Sequence, residues 1–325
     1  MPPFKTFNRH TLGLIMLCLS AILWSSAGFF VRMLDMNTWA MVAWRSLFAF
    51  LSQTFLLALG GHLHRFSFGR NVGLKGLITA VVMAFSMFCY VAALKLTSVA
   101  GVMTIYATIP FFAMGLGWFI QKKKITIRAL ISAAVSLVGV IVMAASATGQ
   151  GDSAGNALAL LMTVGFAASI VMSGKWPGMN LPAVTALACA LCGIFCFAMM
   201  PTGLPLPGLH EMLWLFAFAL ATQSMSYLLF MAGSRYVDPA EASLIAQTDI
   251  VLGPLWVWIF FNELPPGNTL PGAAITFIAV TSYLAGEFYL KENQCVLTDD
   301  FRSLSAKLIV NALYRSWRPQ MARAL

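Results

Sequence analysis

The chain of 325 residues is 60% hydrophobic and 10% charged, with a mean hydropathy of +0.82. Soluble domains carry about 25% charged and about 45–50% apolar residues, so a water-soluble enzyme, a nucleic-acid-binding domain, a disordered chain and a secreted disulfide scaffold are excluded. Lipid is the implied solvent, and the excess of 20 Lys+Arg over 11 Asp+Glu is then first an orientation signal.

A helix needs about 20 apolar residues to cross about 30 Å of hydrocarbon. Ten such stretches follow one another: 12–34, 38–59, 72–94, 99–120, 127–147, 155–173, 183–200, 211–232, 241–261 and 270–290. The breaks carry loop chemistry, as in Gly60-Gly61-His62, Gln121-Lys122-Lys123-Lys124 and Pro201-Thr202-Gly203-Leu204-Pro205. The runs are too long and too evenly apolar for barrel strands. The expected fold is an all-α integral membrane protein of ten transmembrane helices.

With the N-terminus inside, the inner segments and the tail hold 17 of the 20 Lys and Arg residues, and only Arg32, Arg45 and Lys95 fall elsewhere. Asp35, Asp152, Glu211 and Glu263 fall outside. This asymmetry places both termini in the cytoplasm and the protein in the cytoplasmic (inner) membrane. The apolar run Leu12–Val31 exceeds the about 7–15 residues of a signal peptide, so the first helix is expected to be retained.

Sliding the chain on itself by 140 residues sets Lys95 on Arg235, Ala100 on Ala240, Ile105 on Ile245, Thr108 on Thr248 and Trp118 on Trp258. Each half then has five spans. Because five is odd, the second half inserts upside down, an arrangement that builds a central site about a pseudo-two-fold axis in the membrane plane. The expected division is a cytoplasmic N-terminus (1–11), a first repeat (12–147), a second repeat (152–290) and a basic cytoplasmic tail (291–325). Small residues four apart, Ser132 and Ser136, correspond to Gly272 and Thr276, and these faces are expected to meet another helix.

Short motifs in this order resemble a known family. Span 1 reads Ile22-Leu23-Trp24-Ser25-Ser26-Ala27-Gly28, and span 2 reads Ala43-Trp44-Arg45-Ser46-Leu47-Phe48-Ala49. The second half has Ser234-Arg235-Tyr236-Val237-Asp238-Pro239-Ala240-Glu241-Ala242, then Gly253-Pro254 and Phe261-Asn262-Glu263. Over about 12–290 the chain resembles an EamA-type permease of the drug/metabolite transporter superfamily. That resemblance implies alternating-access movement, usually efflux, of small metabolites such as amino acids. The chain departs from it where Lys122, Lys123 and Lys124 stand at a position commonly Glu, where Ile250 stands in place of a Pro after an acid, and in its tail of about 35 residues.

A charge at membrane depth costs at least about 2.5–3.5 kcal/mol on insertion scales, which singles out Arg45 and Asp249. Arg45 lies about 10 Å into span 2 at 1.5 Å per residue, and Asp249 lies deep in span 9, entered from the opposite side. They read as cavity groups for a charged or zwitterionic substrate, or as a proton carrier; structurally they read as an ion pair or snorkelling side chains. Trp24, Ser25, Tyr90, Tyr106, Gln223, Tyr227 and Gln247 are polar or aromatic at mid-span and complete the candidate substrate site, although such residues also serve helix contacts. The unpaired arrangement of the two charges is the one expected, because it leaves each free to meet substrate.

Cys189, Cys192 and Cys196 form a stripe on span 7, read as buried thiols because zinc would need a fourth ligand and the four histidines lie near span ends. No hydrolase elbow, zinc-protease, P-loop or dinucleotide fingerprint is present, so no cofactor is expected and transport would run downhill or on an ion gradient. The tail sets Leu304, Leu308, Leu313 and Trp317 among Arg302, Lys307, Arg315 and Arg318, the pattern of an interfacial helix. The partners expected are a small-molecule substrate and the bilayer, with a homodimer open and no nucleic acid. The competing functions are a non-transporting scaffold or sensor, which leaves the repeat unexplained, and an intramembrane lipid-processing enzyme, which lacks a cluster of acids.

Overall fold

The computed structural model describes residues 9–59, 72–122, 127–144, 150–176, 178–202, 206–234, 236–237, 242, 245–246, 248–263, 270–283 and 286. The N-terminal eight residues, Gln247, Lys123, Lys124 and the tail after 290 lie outside the described residues. The chain divides into two units, Met1–Thr281 and Ser282–Leu325. The first contains the candidate site; in the second, the described residues are Ser282, Tyr283 and Gly286, all helical.

In lipid a backbone must satisfy its own hydrogen bonds, and uninterrupted apolar runs do so as helices. In chain order these are α1 (Arg9–Ser25), α2 (Ala27–Met33), α3 (Thr38–Leu59), α4 (Gly73–Leu96), α5 (Val99–Tyr106), α6 (Ile109–Gln121), α7 (Ile127–Ala144) and α8 (Gln150–Lys175). There follow α9 (Leu181–Met199), α10 (Leu209–Ala219), a π-helical turn (Leu220–Met225), α11 (Ser226–Gly233) and α12 (Asp249–Phe261). The last is α13 (Leu270–Tyr283). No strand occurs among the described residues. Seven stretches are long and apolar enough to cross a membrane, namely α1–α2, α3, α4, α5–α6, α8, α9 and α10–α11. The apolar helices Leu130–Val142, α12 and α13 are shorter.

The packing is duplicated at the same offset of 140 residues. α4 runs along α8, and its equivalent α10–α11 runs along α1. α3 packs on its own equivalent α9, and α5 on α12. The break between α5 and α6 is repeated before α12: Thr108 Oγ1 donates to Ile105 O at 2.6 Å, and Thr248 Oγ1 donates to Ile245 O at 2.6 Å. The residues that end α6 and α12, Lys122 (φ 55°) and Asn262 (φ 51°), are equivalent and share the left-handed conformation. The break falls inside the fourth apolar stretch, which is still long enough to cross a membrane as Val99–Ile120; its one local signal is Pro110, whose missing N–H suits the first turn of a new helix.

The equivalent small-residue faces meet each other. Thr276 Oγ1 donates to Ser136 O at 3.3 Å, and a Cβ added to Gly139 would lie 2.6 Å from Gly272 O. Close backbone approach of this kind replaces the hydrophobic drive that lipid cannot supply. Gly139→Leu is therefore expected to cost about 1–3 kcal/mol through overpacking, read as a lower unfolding midpoint and folded yield in detergent; an unchanged midpoint would contradict the contact. The opposite side of α7 exposes Leu130, Ile131, Leu137, Val138 and Ile141, an apolar surface suited to lipid.

Candidate functional site

Two charges lie inside the bundle and do not touch. Arg45 sits two turns into α3 and is 3% exposed. Its Nη2 donates to Thr222 Oγ1 at 3.3 Å, its guanidinium lies 4.5 Å over the Phe218 ring, and its Nε is buried with no hydrogen-bond partner. Thr222 reaches Arg45 from the π-helical turn, a wider turn that recurs at functional sites and that also carries Gln223. Thr222 Oγ1 is itself anchored on Phe218 O at 2.7 Å.

Asp249 is the first residue of α12 and is 8% exposed. Its carboxylate lies beside the Ile250 amide, and Oδ1 is buried with no hydrogen-bond partner. The break at Thr248 puts this acid at a helix N-terminus in mid-bundle, where the positive end of the helix dipole favours an anion. No ion pair joins Asp249 to Arg45 among the described residues. Two buried tyrosines accompany them: Tyr90 on α4 is in electrostatic reach of both charges, and Tyr106, at the end of α5, of Asp249 and Tyr90.

The remaining candidates are distributed along the same interface. Trp24 rings against Phe230 of α11 at 5.3 Å. Ser25 Oγ donates to Ile22 O at 2.8 Å and accepts the Trp256 indole at 2.9 Å, so it ties α1 to α12. Tyr227 lies beside Thr185 of α9, which accepts Gln53 Nε2 at 2.6 Å. Gln247 lies outside the described residues. Arg45, Tyr90, Tyr106 and Asp249 thus form one electrostatic group, whereas Trp24, Ser25 and Tyr227 engage neighbouring helices.

Sequence reading missed Phe218, Thr222, Gln53 and Thr185. The last three are polar within apolar spans, the same signal that marked the others; nothing local marks Phe218. The thiol stripe is buried beside Arg45, with Cys192 next to Ser46 and Cys196. Among the described residues no group of three or more His, Cys, Asp or Glu side chains is placed to hold a metal ion.

The repeat makes the charges informative. At the offset of 140, Arg45 corresponds to Thr185 and Asp249 to Ile109. A symmetric scaffold has therefore been given a cation from one half and an anion from the other. The site is dipolar, with unfilled hydrogen-bonding capacity at both poles.

A two-repeat helical bundle with polar groups converging where broken helices meet defines a membrane protein of the repeat-carrier class. The chain belongs to the EamA-like transporter family, within the drug/metabolite transporter superfamily, and matches it twice, over residues 11–145 and 153–284. A solved structure described only as "Crystal structure of protein" is similar at 16% identity, over 87% of this chain and 98% of its own, with a TM-score of 0.60. That likeness concerns the fold. No curated protein sequence matches the chain.

Proposed function

We propose that the protein is a secondary transporter that exports small zwitterionic metabolites, amino acids or related compounds, by alternating access. The observation that carries this reading is the pair of buried, opposite and unpaired charges at Arg45 and Asp249, each with an unfilled hydrogen-bonding atom. Burial of a lone charge costs several kcal/mol unless something compensates it. A substrate with a carboxylate and an ammonium supplies both compensations at once, and the fit is lost when either charge is missing.

In this reading all ten apolar helices cross the bilayer, the shorter three completing the two repeats in opposite orientation, and both termini face the cytoplasm. Arg45 holds the substrate anion, supported by Thr222 and Phe218. Asp249 holds the cation or a coupling proton, and Tyr90 and Tyr106 shield the space between. Gln223 extends the wall from the π-helical turn, and Trp24, Ser25 and Tyr227 hold the surrounding helices together.

The test is a metabolite screen comparing efflux from cells with and without the protein, under outward and inward gradients. A faster loss of one or a few zwitterions from cells that carry the protein is expected. Identical intracellular and extracellular pools in both strains would contradict the reading.

A further inference from the structure

At the end of the bundle opposite the N-terminus, the two repeats are joined by a fork. Arg32, near the end of α2, donates from Nε to Glu263 Oε2 at 2.6 Å and from Nη2 to Glu263 Oε1 at 3.1 Å. The same guanidinium holds carbonyls at the end of α4, Leu94 O at 2.6 Å and Thr97 O at 2.9 Å. The two side chains are 23% and 25% exposed. Water reaches the pair, so its opening costs far less than that of a buried bridge.

The segment that carries Arg32 is set apart from the helix before it. Ser26 separates α1 from α2, and the hydroxyls of Ser25 and Ser26 turn back onto Ile22 O (2.8 Å) and Leu23 O (2.7 Å). Serines bonded to the preceding turn bend helices. Below Arg32, Phe29 meets Phe260 at 5.1 Å and Phe261 at 5.6 Å across the repeats. Phe30 stacks on Phe218 at 5.3 Å and 12°, and Phe218 is the ring under the Arg45 guanidinium. One short segment therefore carries one half of the fork at the surface and reaches the cation of the central site through a single ring, Phe218.

In a duplicated fold, a contact that closes one end has an equivalent at the other. At the offset of 140, Arg32 corresponds to Met172 and Glu263 to Lys123. A thioether and an ammonium cannot form the ion pair. Ser26 corresponds to Phe166, inside the unbroken α8. Among the described residues the fork and the bend occur in one half only.

We infer that α2 is a gate hinged at Ser26 and latched by Arg32–Glu263, so that the resting protein is closed at the end opposite its N-terminus and receives substrate from the N-terminal side. Anion binding at Arg45 moves its guanidinium on Phe218, and the stacked Phe30 passes that displacement to the latch. Among the described residues nothing equivalent latches the other end, so the two orientations differ in energy and the direction of loading follows from that difference. This inference rests on the transport reading above.

The test uses the full chain with its six cysteines replaced and Thr108→Cys, at the break of the fourth span, as reporter, labelled by a membrane-impermeant thiol reagent added from one face or the other. With the latch intact, labelling is expected only from the N-terminal face. Arg32→Gln and Glu263→Gln should each raise labelling from the opposite face by about tenfold, equivalent to about 1.4 kcal/mol, and the charge-swapped pair Arg32→Glu with Glu263→Arg should return it toward the starting level. Glu263→Gln keeps the carbonyl contacts of Arg32, so it carries the test if Arg32→Gln folds poorly. Labelling from the N-terminal face that neither substitution alters would overturn the gate alone. Labelling from neither face in any variant would overturn the gate together with the central site.

Discussion

Arg45→Gln is expected to lower transport by about 10- to 150-fold at normal abundance, the equivalent of the about 1.5–3 kcal/mol that a hydrogen bond to a charged group contributes. The loss should appear as weaker substrate binding as well as slower flux, because the guanidinium meets the substrate anion before any conformational change. Arg45→Lys should recover only part of it. An ammonium keeps the charge but lacks the planar fork that can hold Thr222 and a carboxylate together while lying on the Phe218 ring. The measurement is initial efflux rate against internal substrate concentration; an Arg45→Gln protein with wild-type values would reduce Arg45 to a structural cation.

Asp249→Asn is expected to weaken substrate binding, because the substrate cation loses its counter-charge, and to remove the part of transport that depends on a pH gradient. The side chain keeps its shape and its place at the start of α12, but it can no longer gain and lose a proton. An intramembrane acid with a buried, unpartnered oxygen is suited to that task. Rates with and without an imposed pH gradient decide it. Wild-type rates with unchanged gradient dependence would take Asp249 out of the mechanism.

Much of this arrangement is legible from residue chemistry. Arg45 and Asp249 stand out because charges in apolar runs are costly, and the repeat stands out because one offset aligns whole spans. The same offset carries the paired threonine bonds at Thr108 and Thr248 and the left-handed helix ends at Lys122 and Asn262. Other features leave no local trace. The π-helical turn at Leu220–Met225 is as apolar and helix-favouring as its flanks, so nothing in the pattern shows that Thr222 is turned toward Arg45. The break at Ser26 lies in a run that reads as one continuous span. Arg32 and Glu263 are visible as charges placed away from the inner face, but they are 231 residues apart in sequence, and only the fold brings them together. Tyr227 and Ser25 illustrate the converse difficulty: a polar group in an apolar span marks a hydrogen bond, and sequence alone does not say whether ligand or helix supplies the partner.

The most direct measurement is counterflow with the purified protein in liposomes, using the metabolite singled out by the efflux screen. Vesicles loaded with unlabelled substrate and diluted into a trace of labelled substrate should accumulate label transiently, and Arg45→Gln vesicles of equal protein content should not. Decarboxylated and N-acylated analogues, each lacking one of the two charges, should fail to drive accumulation. Absence of counterflow with the wild-type protein, or equal counterflow with Arg45→Gln and with the singly charged analogues, would contradict a dipolar carrier site between the repeats.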